Sequence, residues 1–103
     1  DQAFNLGPVG EAPLSVSKVL DLLSIHIPGV QIKIGAAEVP EAEKLGINSS
    51  LAVDVLGWNP RWSTIEVIEK TASWYHNFLA GTQSAYDLCL DDIKDWELRG
   101  ASL

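Results

Sequence analysis

The chain has no methionine, a single cysteine and only seven basic residues against fourteen acidic ones in 103 positions. Each shortage excludes something. With Cys89 alone there is no intrachain disulfide and no cysteine-based zinc site, which fits a reducing, cytoplasmic setting. The net charge is −7 and the basic residues are scattered, so no basic stripe exists to neutralise a phosphate backbone. Nucleic acid is therefore not an expected partner. No apolar run approaches the roughly 20 residues of a membrane span, and no basic segment opens a secretory signal, so no membrane association is expected. A chain opening at Asp1 without an initiator reads as a processed product, a fragment or an expressed domain.

What is present points to one folded domain over residues 1–103. Hydrophobic residues make up 47% and charged residues 20%, enough to form a core at this length. Ala3-Phe4-Asn5-Leu6-Gly7 predicts a buried strand stopped by Gly7-Pro8. Ser15 or Ser17 can cap a helix whose apolar positions are Val16, Val19, Leu20, Leu22, Leu23 and Ile27, ended by Pro28-Gly29. Val30-Gln31-Ile32-Lys33-Ile34 alternates as a half-covered strand does. Strand, helix and strand in that order predict an α/β fold: a small β-α-β unit with parallel strands and a right-handed crossover, followed by helices. The mixed, irregular segment from Ala36 to Gly46 then falls after the carboxyl end of the second strand, where ligand loops of open α/β sheets occur.

Asn48 or Ser49 caps a short helix carrying Leu51, Ala52, Val55 and Leu56, and Gly57 stops it. Two tryptophans, a proline and an arginine follow in Trp58-Asn59-Pro60-Arg61-Trp62, a rigid aromatic corner. Ser63-Thr64-Ile65-Glu66 is a capping box opening a helix with Ile65, Ile68, Ala72, Tyr75 and Leu79 on one stripe, widened by Phe78 and stopped by Gly81. Leu88, Leu90, Ile93 and Trp96 predict a short terminal helix packed back on the body.

Candidate chemistry is sparse. His26 and His76 stand without a second histidine or a carboxylate at metal-ligand spacing and read as structural or surface residues. Asp91, Asp92 and Asp95 cluster at the start of a helix, where negative charge is favoured electrostatically. Cys89 has no neighbouring histidine or lysine to make it reactive. Gly7-Pro8-Val9-Gly10 lacks the third glycine of a dinucleotide fingerprint. Arg61 could bind a phosphate or stack on a ring; the favoured reading is that it ties the corner together through backbone carbonyls.

Several runs together resemble one enzyme family. Ala3-Phe4-Asn5-Leu6-Gly7-Pro8, Ser49-Ser50-Leu51-Ala52 leading into Leu56-Gly57-Trp58-Asn59-Pro60-Arg61-Trp62, Glu69-Lys70-Thr71-Ala72-Ser73-Trp74-Tyr75, and Leu88-Cys89-Leu90-Asp91-Asp92-Ile93 are similar to the C-terminal part of CDP-glucose 4,6-dehydratases. These are extended short-chain dehydrogenase/reductases of the epimerase/dehydratase superfamily. The resemblance covers nearly the whole chain but only about the last third of such an enzyme.

It implies a parent protein that uses NAD to convert CDP-glucose to CDP-4-keto-6-deoxyglucose, with the NAD loop and catalytic residues in a Rossmann domain not contained in this chain. This part alone is then expected to bind no cofactor and to lack activity. Its implied substrate-binding residues are Pro40, Glu41 and Lys44, in a loop similar to the family's His-Glu-Ala segment; proline replaces the histidine, and Lys44 stands where an aromatic is common. The implied partner is the nucleotide sugar together with the N-terminal domain, and faces left bare imply a homo-oligomer. Alternatives are the same region of another nucleotide-sugar dehydratase or epimerase, and a free-standing α/β interaction module.

Overall fold

The computed structural model describes residues 2–33, 35 and 46–101. They form four helices: α1 Val16–His26, α2 Ser50–Leu56, α3 Thr64–Ala80 and α4 Ala85–Ala101. Helix α3 is the centre of the body, with α1 and α4 packed against it, while α2 packs on none of the other three.

Local chemistry explains each helix boundary. The Ser15 side chain accepts the Lys18 N–H at 3.1 Å, so Ser15 rather than Ser17 opens α1. Ser49 occupies the N-cap position of α2, but it is Asn48 Oδ1 that accepts the Ser50 N–H, at 2.9 Å. Both halves of the α3 capping box form: Ser63 Oγ accepts from the Glu66 N–H, and Glu66 Oε1 accepts from the Ser63 N–H, each at 3.2 Å. Ser84 opens α4 by accepting the Asp87 N–H at 3.1 Å. Gly57 (φ 64°) and Gly81 (φ 71°) end α2 and α3 in the left-handed conformation, which glycine enters without steric penalty.

The expected α/β architecture is overturned. Among the described residues there is no strand, and the parallel β-α-β unit is not formed. Residues 3–7 run as irregular chain, and Gly7 spends its carbonyl on the Ser49 hydroxyl at 3.2 Å rather than on a ladder. Val30 and Ile32 follow α1 as exposed, irregular chain; Ile34 lies outside the described residues. The physical reason is that alternation marks a strand only where a neighbouring strand takes up its N–H and C=O groups, and among the described residues neither segment lies in a strand. The terminal helix is also longer than expected, spanning 17 residues.

The core is thin. Ala52, Ile68, Ala72 and Leu88 are the buried apolar residues described, joined by Ser49, and no large side chain among them is fully enclosed. The stripe expected on α3 is buried only at Ile68 and Ala72; Ile65, Tyr75, Phe78 and Leu79 are exposed. Helix α1 buries no residue completely.

Candidate functional site

The aromatic corner at residues 57–62 occupies the junction of α2, α3 and α4. Gly57 ends α2 in the left-handed conformation, Pro60 stiffens the chain, and the α3 capping box fixes its exit. Around it lies the largest cavity among those described, about 490 Å3, with Trp58, Pro60, Trp62, Val67, Ile68 and Trp96 among its walls. Three of the four tryptophans of the chain thus face one space, which is overwhelmingly apolar.

Arg61 is held at the rim of this cavity. Its guanidinium lies over the Trp96 ring, 3.4 Å from the centroid, and Nη1 donates to the Trp96 carbonyl at 2.9 Å. It also lies against Gly100, where any Cβ would overlap it. The arginine therefore clamps the corner to the last turns of α4, in keeping with its reading as a scaffold residue, and its charge is engaged by an aromatic face and a backbone oxygen.

Two further ties fix α4 on α3. Lys70 Nζ reaches Asp95 Oδ2 at 3.0 Å and lies 4.5 Å from the Trp62 ring centroid. Arg99 pairs with Glu66. The Glu66 carboxyl is held below the usual range, first by the Ser63 backbone N–H; partial burial opposes this, and the Arg99 charge reinforces it. Asp92 moves the other way. Burial pushes it up, Lys70 counters, and the charges of Asp95 and Asp91 add to the rise.

The remaining candidates stay apart. Pro40, Glu41 and Lys44 lie outside the described residues. His26 Nε2 is 3.9 Å from Glu69 Oε1, a contact between the end of α1 and the face of α3. His76 and Cys89 are exposed on α3 and α4 respectively. Among the described residues no group of three or more His, Cys, Asp or Glu side chains converges in a way that could hold a metal ion. Nor is any described helix long and apolar enough to cross a membrane.

Two contributors escaped sequence reasoning. The Glu11 carboxylate accepts the Thr64 N–H at 3.1 Å and the Thr64 hydroxyl at 2.8 Å, placing negative charge at the positive end of α3. Its partner is 53 positions away, and no local signal announces it. Gly100 did leave a trace, since a glycine four residues after Trp96 in a helical run suggests a close approach. No family model matches this sequence, and comparisons with curated proteins and with solved structures likewise find no match.

Proposed function

We propose that this chain is the C-terminal, nucleotide-sugar-binding part of a CDP-glucose 4,6-dehydratase-like enzyme and has no activity alone. The observation that carries the proposal is the run Leu56-Gly57-Trp58-Asn59-Pro60-Arg61-Trp62 leading straight into a capped helix. Its side chains act as scaffold: Arg61 is turned onto Trp96, and the indoles wall an apolar cavity. An apolar cavity is a poor host for a diphosphate, whose charge would be stripped of water there. In this reading the corner packs against the rest of the enzyme, and substrate contact falls to the segment carrying Pro40, Glu41 and Lys44. NAD would supply the hydride chemistry from the N-terminal domain, and no chemical step is assigned to residues of this chain.

The test is calorimetry of the full-length protein against CDP-glucose and other nucleotide sugars, with product mass followed in parallel. Saturable binding of CDP-glucose and loss of one water from it support the reading. Binding of a different nucleotide sugar moves the chain to another dehydratase or epimerase. Dehydration of CDP-glucose by the 103-residue chain alone would overturn the assignment of catalysis to the N-terminal domain.

A further inference from the structure

The cavity at the aromatic corner has the size of a ligand site. It measures about 490 Å3, where small-molecule sites run from about 300 to 1,000 Å3 and an apolar cavity of roughly 150 Å3 already takes up benzene. Its walls come from separate parts of the chain: Leu6 from the irregular start, Val19 from α1, Trp58 and Trp62 from the corner, Ile68 from α3 and Trp96 from α4.

The chemistry of those walls selects the ligand. Arg61 and Thr64 bring the only charge and the only hydroxyl to the described walls, and both are engaged within the chain. The Thr64 hydroxyl donates to Glu11 at 2.8 Å. The Arg61 guanidinium is packed between the Trp96 ring and Gly100 and donates to the Trp96 carbonyl. A charged ligand would lose its water here without an opposite charge turned towards it. Flat apolar surface is what remains. Trp62 and Trp96 each have a cation over the ring, Lys70 at 4.5 Å and Arg61 at 3.4 Å from the centroids, so both walls are held in place before any ligand arrives. Trp58 has no such ring contact among the described residues, which leaves its ring to stack on an incoming one.

We propose that this cavity is a binding site for a neutral, planar, multi-ring aromatic molecule, which stacks on Trp58 between walls fixed by Lys70 and Arg61. The inference does not depend on the proposed enzymatic parent, because a nucleotide sugar carries the charge that these walls do not receive.

The test is fluorescence titration of the 103-residue chain with N-phenylnaphthylamine, a neutral dye that brightens on leaving water. Anilinonaphthalene sulfonate, the same skeleton with a negative charge, is titrated beside it. Saturation at one neutral dye per chain, with at least tenfold weaker binding of the sulfonate, supports the site. Absence of saturable binding, or uptake of several dyes per chain, overturns it. Equal or tighter binding of the sulfonate shows that Arg61 receives anions and overturns the neutral ligand. Trp58→Ala should weaken the neutral dye at least tenfold. Val67→Phe, at a wall position 44% exposed, should fill the cavity and weaken the dye as much, with the circular dichroism of the helices retained. Unchanged binding in Val67→Phe overturns the location, whatever Trp58→Ala does to folding. Tyr86→Ala on α4, at a position 72% exposed, is the control and should bind as the parent chain does; an equal loss there places the dye elsewhere and overturns the proposal. Nucleotide-sugar binding by the full-length protein is read independently, so the two readings fail separately.

Discussion

From Trp58 to Gly100 the chain is tied across elements by side chains. Glu66 meets Arg99, Lys70 meets Asp95 and Trp62, and Arg61 lies between Trp96 and Gly100. Among the described residues from Gln2 to Gly57 the cross-ties are fewer: Ser49 to Gly7, Glu11 to Thr64, and the long His26–Glu69 contact. The two regions carry similar apolar content in their helices, yet Ile68, Ala72 and Leu88 are buried in one, while in the other α2 buries only Ala52 and α1 buries nothing completely. The difference teaches that an amphipathic pattern yields stability only where a second surface meets it. Helix α3 has such a surface on two sides, from α1 and from α4, and it is α3 that buries Ile68 and Ala72.

The sharpest way to break this comparison is to remove core volume from each side. Ile68→Ala should cost about 2–4 kcal/mol, within the range for large-to-small changes in a core. Leu20→Ala, at a position already 37% exposed, should cost less than about 1 kcal/mol. Urea unfolding of both variants decides the matter, and equal losses would mean that α1 is as well packed as α3.

The caps offer a second contrast. Ser63→Ala removes one half of the α3 box and should cost about 1 kcal/mol of global stability. Ser15→Ala removes the matching bond in α1. It should appear mainly as faster amide exchange in α1, because that helix opens without the rest.

A smaller effect tests the clamp at Gly100. Glycine to alanine inside a helix normally gains up to about 1 kcal/mol. Here the new methyl displaces the Arg61 guanidinium, so Gly100→Ala should be close to neutral in thermal unfolding. In an Arg61→Ala background the same change should recover most of the gain. Identical effects in both backgrounds would show that the arginine contact carries no energy.

Acid titration gives the smallest signals, of opposite sign. The folded Glu66 carboxyl has a lowered pKa, so its contribution is full above the ordinary carboxylate range and is lost as pH falls through the lowered value. Asp92 has a raised pKa, so folding takes up a proton there, and its effect on stability weakens as pH rises through the raised value. Glu66→Gln should flatten the acid limb of a Tm-against-pH curve. Asp92→Asn should raise stability slightly at neutral pH, by no more than about 0.5 kcal/mol.

Much of the local architecture was legible in the residues. The capping box, the glycine stops of α2 and α3 and the Pro28-Gly29 end of α1 fall where the sequence placed them. The sheet was misread because Val30-Gln31-Ile32 has the period of a strand whether or not a partner strand exists. Of the site, the aromatic corner was visible as a dense motif, and Arg61 was read as its brace. The carbonyl it binds belongs to Trp96, 35 positions on, and only folding brings that atom near. Glu11 was invisible for the same reason.

What the sequence alone determined, then, is where helices begin and end, because caps and left-handed glycines act over four or five residues of local backbone. What each apolar face meets was decided by the tertiary structure. Ile68 and Ala72 are covered while Ile65 and Leu79 on the same stripe are not, because burial depends on which element arrives from elsewhere in the chain.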